Sequence, residues 1–132
     1  MADMLGERVA ASPEPTVDTR AYWEAANEGR LLFGRCRACG EAHFYPRTRC
    51  PRCLAADTEL VEAGGTGTLY SYSVMRRAKV PYAIAYVTLD EGVTMMTNIV
   101  GCSADELKVG MKLRVEFKAS ENGQKVPMFR PA

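Results

Sequence analysis

The chain of 132 residues has a single histidine, a single tryptophan and a net charge of only +1. With His43 alone, no Ser/His/Asp or Cys/His grouping can be assembled, so nucleophile–base catalysis of the usual kind has no support. The near-zero charge lacks the basic footprint of a general nucleic-acid binder. No apolar run approaches the length needed to cross a bilayer. The first fifteen residues carry acids and prolines where an export signal would be basic and then apolar. Reduced cysteines in the cytoplasm are therefore expected.

What the chain does have is cysteine in a particular arrangement. Four of its five cysteines fall in two tight pairs, Cys36/Cys39 and Cys50/Cys53, which gives C-x2-C-x10-C-x2-C. Two short loops then supply four soft thiolates, the donor set of a closed tetrahedral zinc site. Gly40 follows the first pair, where a loop folding back around a metal needs positive φ. Leu54 follows the second and lacks that glycine. With four thiolates present His43 is not needed as a ligand and is expected at the surface or in a hairpin. The fifth thiol, Cys102, follows a glycine at a strand end and is expected to be buried and inert. Four thiolates also hold iron in electron-transfer proteins, the weaker alternative here.

Charge is uneven along the chain. Residues 20–53 hold seven Arg against three Glu, whereas residues 54–132 hold nine bases and nine acids. Arg35, Arg37, Arg47, Arg49 and Arg52 are interleaved with Phe44 and Tyr45. Arginines beside aromatic rings suit a phosphate plus a stacked base, as in coenzyme A or nucleic acid. A solvated cationic surface explains the same residues.

Hydrophobic periodicity predicts a mainly β protein in four segments. Residues 1–16, broken by Pro13 and Pro15, read as a flexible leader. Residues 17–29 hold a short helix capped by Asp18 or Thr19 and stopped at Gly29. Its apolar side, Tyr22, Trp23 and Ala26, suits packing on the chain's own core or docking of a partner at Tyr22 and Trp23. Residues 30–56 form the zinc ribbon. Residues 57–132 carry strand signals at 58–62, 68–74, 82–89, 93–100, 113–117 and 126–129, and an S-x-x-E capping box at Ser103 and Glu106. Asp90-Glu91-Gly92 reads as a hairpin turn with a solvated tip, not a carboxylate pair bracketing a substrate. Five strands among these six signals, with one helical turn late in the order, indicate a Greek-key barrel of the OB type.

The ordered set of motifs is more specific than any one of them. It comprises Tyr-Trp-Glu-Ala-Ala at 22–26, Gly-Arg-Leu-Leu at 29–32, Arg-Cys-Arg-Ala-Cys-Gly at 35–40, Phe-Tyr-Pro-Arg at 44–47 and Cys-Pro-Arg-Cys at 50–53. Further along stand Gly-Thr-Gly-Thr-Leu-Tyr-Ser-Tyr at 65–72, Pro-Tyr-Ala-Ile-Ala-Tyr-Val-Thr-Leu-Asp-Glu-Gly at 81–92, Val-Gly-Met-Lys-Leu at 109–113 and Phe-Arg-Pro at 129–131. In this order they resemble the OB-fold acyl-CoA-associated proteins that carry a rubredoxin-like zinc ribbon in front of the barrel.

The resemblance implies a noncatalytic accessory subunit of an acyl-CoA-processing complex built around a thiolase, hydroxymethylglutaryl-CoA synthase, hydratase or aldolase. It implies a hetero-oligomer, structural zinc on Cys36, Cys39, Cys50 and Cys53, and no catalytic residue carried by this chain. Arg47, Arg49, Phe44 and Tyr45 are the expected contacts for a coenzyme A thioester. The alternative is a single-stranded nucleic-acid module in which Tyr70, Tyr72, Tyr82 and Tyr86 stack bases.

Overall fold

Alternation is strictest in the segment 82–89, where Ala83, Ala85, Val87 and Leu89 are buried and Tyr86 is exposed. Period-two burial of this kind is what a strand with one face on a core requires. In the computed structural model, which describes residues 4–132, that segment is β5 (Tyr82–Leu89), second strand of a closed barrel. The others are β4 (Thr66–Met75), β6 (Thr94–Ile99), β7 (Lys112–Ala119) and β8 (Lys125–Pro131), joined in the order β4-β5-β6-β8-β7. β4 also pairs with β7, which closes the ring and leaves no edge among these strands. The one parallel contact, Ile99 opposite Phe129, is the Greek-key crossing of an OB barrel. A single 3₁₀ turn, Ala104–Glu106, precedes β7, and both hydrogen bonds of the Ser103/Glu106 capping box form.

The ribbon is a separate three-stranded sheet. β1 (Leu32–Cys36) lies between β2 (Ala42–His43) and β3 (Thr58–Glu62), antiparallel to both. This corrects the expected boundary at residue 57. Thr58–Glu62 pairs in register with Leu32–Cys36 and belongs to the ribbon, because Cys36 at the far end of β1 needs a partner strand on its second edge.

The helix α1 (Arg20–Asn27) packs on β1 and β8 through Tyr22, Ala25 and Ala26, all buried. Thr19 is its N-cap residue but makes no side-chain cap; its hydroxyl accepts from the Thr16 backbone N–H at 2.9 Å. The Gln124 amide reaches the Trp23 carbonyl at 3.0 Å, and Asn27 accepts from the Lys125 N–H, so the β7–β8 hairpin grips the helix end. One hydrophobic core runs from Leu5 and Tyr22 through Phe33 into Leu69, Leu113 and Phe129.

The expected leader behaves differently from its composition. Residues 1–3 lie outside the described residues. From Met4 onward the segment lies along the barrel: Leu5 is buried and exchanges backbone hydrogen bonds with Gly101 and Cys102. The Gly6 carbonyl accepts from Lys118 and the Ala10 carbonyl from the Glu121 N–H. The physical reason is a buried leucine whose backbone N–H and carbonyl both pair with the segment at Gly101 and Cys102.

Asp90 and Glu91 also do more than decorate a turn. The Glu91 carboxylate accepts from the Gly64 N–H at 2.8 Å, and Asp90 accepts from the Thr66 hydroxyl. Residues 63–65 join the ribbon to the barrel, so this turn holds both the linker and the first residue of β4.

Candidate metal centre and aromatic cleft

The cysteine pairs sit on two loops with the same backbone. In the first, the Gly40 N–H bonds the Cys36 carbonyl at 2.8 Å and the Cys36 N–H bonds the Glu41 carbonyl at 3.0 Å. In the second, the Leu54 N–H bonds the Cys50 carbonyl at 2.9 Å and the Cys50 N–H bonds the Ala55 carbonyl at 2.9 Å. The loops face each other and bring four Sγ atoms within 4.8 Å of one another.

Cys36 and Cys53 are 3.6 Å apart, and Cys39 and Cys50 are 3.7 Å apart. A disulfide needs about 2.05 Å, so neither pair is bonded. Four sulfurs each about 2.3 Å from one ion stand about 3.8 Å from one another at tetrahedral corners; these two pairs are close to that spacing, and all four sulfurs lie within 4.8 Å. Electrostatics agrees. A backbone N–H of Cys53 outweighs burial and draws the Cys50 thiol down to about 7, with help from the Arg52 N–H. Cys39 feels a lowering N–H from Glu41, yet burial and the neighbouring thiols push it up to about 12. Four thiolates this close repel each other unless a cation sits among them. The donor set therefore fits a zinc ion, which would supply a cross-link between the loops and offer no open coordination position.

Sequence placed His43 at the surface or in the hairpin. It lies in β2 and is buried, only 7% exposed, with neither ring nitrogen hydrogen-bonded. Its pKa is lowered, first by burial and then by the Arg47 charge, so the ring is neutral. Cys102 is buried as expected, and burial pushes its pKa up.

The arginine group does not converge. Arg37 pairs with Asp57 and Glu59, Arg52 reaches Glu41, and Arg49 donates to the Leu54 carbonyl at 3.0 Å. Phe44 and Tyr45 turn away from Arg47 and Arg49 to pack edge-on against Tyr22, at 5.5 and 5.6 Å between ring centres. Tyr22 is itself only 1% exposed, so it is a core residue and presents no docking surface. Its neighbour Trp23 is half-buried, packed edge-on against Tyr22 at 4.8 Å.

Tyr22, Trp23 and Tyr45 instead wall a cleft of about 300 Å³ between α1, the N-terminal segment and the outer side of the barrel. Arg8 and Tyr82 stand at it, the guanidinium 3.9 Å from the ring centre, and Ile84, Met96, Asn98 and Pro127 complete it. Of these residues, sequence reasoning singled out Tyr22, Trp23, Tyr45 and Tyr82, and none of them for a cleft. The missed signal is in β5 and β6, whose outward positions Ile84, Tyr86 and Met96 are apolar although they face away from the core. Tyr86 and Met96 are opposite one another in register, 46% and 52% exposed, and beside them stands Tyr70, 66% exposed at a bulge in β4.

Comparison with known proteins matches both parts. Residues 23–59 fit the family model of the ChsH2 rubredoxin-like zinc ribbon domain, and residues 60–118 fit that of the ChsH2 C-terminal OB-fold domain. The chain is 37% identical to a probable enoyl-CoA hydratase alpha subunit of Thermomonospora curvata, over 93% of this chain but only 41% of that protein. It is 33% identical to a DUF35 domain-containing scaffold protein of Methanocaldococcus jannaschii, covering 73% of this chain and 74% of that one. Among solved structures, a chain of an Ltp2-ChsH2(DUF35) aldolase superposes with a TM-score of 0.80 at 35% identity, covering 91% of this chain and 98% of that one.

Proposed function

The chain belongs to the ChsH2 (DUF35) family of zinc-ribbon and OB-fold proteins, and we propose that it is a noncatalytic accessory subunit of an acyl-CoA-processing complex. The observation that carries this reading is the row Tyr70, Tyr86 and Met96 across three neighbouring strands of an otherwise alternating barrel. Large apolar side chains grouped on a rigid sheet suit a protein partner better than they suit water. In this reading the partner is a thiolase, hydratase or aldolase subunit, the product is a hetero-oligomer, and the compartment is the reducing cytoplasm.

Zinc on Cys36, Cys39, Cys50 and Cys53 is structural in the same reading. It offsets the small core of the ribbon, and no step of the chemistry passes through it. Arg47 and Arg49, both exposed, contribute positive charge toward the phosphates of a coenzyme A ester held by the complex. Replacing both with alanine then raises the apparent KM of the complex and leaves its zinc content unchanged.

The test is a tagged pull-down from the native cell with identification by mass spectrometry. A stoichiometric acyl-CoA enzyme is the expected result. The exposed tyrosines also favour a second reading, stacking of a single nucleic-acid strand, although bases and acids balance over residues 54–132. Recovery of ribosomal or polymerase proteins, lost on nuclease treatment, would move that reading to the front.

A further inference from the structure

The cleft beside α1 carries a polar pattern that a docking face for apolar side chains does not need. Its residues are mainly aromatic or aliphatic, and no Asp or Glu is among them. The one full charge is Arg8, whose guanidinium lies over the Tyr82 ring and meets no carboxylate among the described residues. The ring fixes the cation against the cleft without neutralising it.

Two further donors are left over. Tyr22 is almost fully buried and Tyr45 lies beside it, and neither hydroxyl makes a hydrogen bond among the described residues. Burial raises the pKa of both, so both keep their protons. The Asn98 amide and the Thr97 hydroxyl, by contrast, are already engaged with backbone carbonyls. The cleft thus offers unpartnered donors, one cation and apolar walls.

We propose that this cleft binds a compact apolar carboxylate, with its hydrocarbon body against Trp23, Ile84 and Met96 and its carboxylate toward Arg8 and the tyrosine hydroxyls. A neutral apolar ligand would leave Arg8 uncompensated, and a cation would meet like charge with no acid to receive it. A volume of about 300 Å³ suits a small rigid acid and excludes a long flexible chain. The inference does not rest on the accessory-subunit reading, since the cleft is complete within this chain.

Trp23 is the only tryptophan, so its fluorescence reports on the cleft directly. The experiment titrates the zinc-loaded full chain with adamantane-1-carboxylate and, separately, with the uncharged adamantane-1-carboxamide. The acid is expected to shift the emission saturably and to bind at least about tenfold more tightly than the amide, the ratio of one charge-assisted hydrogen bond. Arg8→Met should remove that preference while leaving the zinc content and thermal midpoint unchanged. Tyr22→Phe keeps the ring in the core and should weaken the acid alone, by a few-fold. Equal affinity for acid and amide, no saturable response to either, or an acid preference that survives Arg8→Met would overturn the proposal. Binding of the amide alone would show the cleft to be an apolar socket.

Discussion

Gly40 and Leu54 hold the same left-handed backbone, φ +78° and +65°, at equivalent places in the two cysteine loops. Each sends its N–H back to the first cysteine of its pair. The missing second glycine therefore does not change the loop; it leaves a leucine in a conformation that only glycine adopts at no steric penalty.

Leu54 is 68% exposed, so its side chain gains little from packing. Leu54→Gly should relieve the strained backbone at the expense of a more flexible unfolded chain. The net expected is a gain of about 0.5–1 kcal/mol. Denaturant unfolding of the zinc-loaded protein measures it, and a loss of stability would show that the side chain matters more than the backbone.

Removing the metal should act on one half of the molecule first. The ribbon sheet is three short strands, and apparent zinc binding worth ~10–16 kcal/mol is what such a unit lacks when stripped. Chelation is expected to erase amide protection over residues 32–62 before the closed barrel loses any. Cys39→Ser should do the same and lower bound zinc below one per chain. Simultaneous loss of protection in β5 and β6 would mean that the two parts unfold together.

Gly34 and His43 face each other in the β1–β2 register, and a side chain at Gly34 would place its first carbon 2.2 Å from the imidazole Nε2. Gly34→Ala is therefore expected to cost about 1–3 kcal/mol, as overpacking in a core does. The double variant Gly34→Ala, His43→Ala should be much less unstable than the sum of the two single changes. Strict additivity would place the strain elsewhere.

His43 should also write a slope into the stability of the protein. Its folded pKa lies below the ordinary 6.5, first because of burial and then because of Arg47. The unfolded chain then takes up a proton that the folded chain refuses. Stability from this group is full above pH 6.5 and is lost as pH falls from there toward the folded value. His43→Phe, which also removes two unpartnered ring nitrogens, should flatten that slope and be at least as stable at pH 7. Urea midpoints at several pH values, with zinc content checked at each, separate this effect from metal loss.

Local chemistry made most of the fold legible. The cysteine spacing, the capping box at Ser103 and Glu106 and the alternation of β5 each act within a few residues, and each appears in place. What the sequence hid depends on tertiary partners. Nothing within Thr58–Glu62 says whether its hydrogen bonds go to Cys36 or to the barrel. The proline-bearing leader hid one leucine that the barrel buries. Arg47 and Arg49 stood near Phe44 and Tyr45 in sequence, but Tyr22, on another element, took the rings. The cleft was least visible, because its walls come from the leader, the helix, the ribbon and three barrel strands.

In the proposed complex, two accounts of how this chain would dock can be separated. A helix-led account rests on Trp23, which is half-buried against Tyr22. A barrel-led account rests on Tyr86 and Met96, which are cross-strand neighbours and project outward from a rigid sheet. Truncating a central apolar anchor at an interface typically costs 2 kcal/mol or more, roughly thirtyfold in affinity. Tyr86→Ser and Met96→Glu are therefore expected to weaken the complex by about that factor, with zinc content and thermal midpoint unchanged. Trp23→Ala should weaken it less. Biolayer interferometry against the recovered partner gives the ranking directly. The reverse order would move the interface to the helix and make the exposed tyrosines available for another ligand.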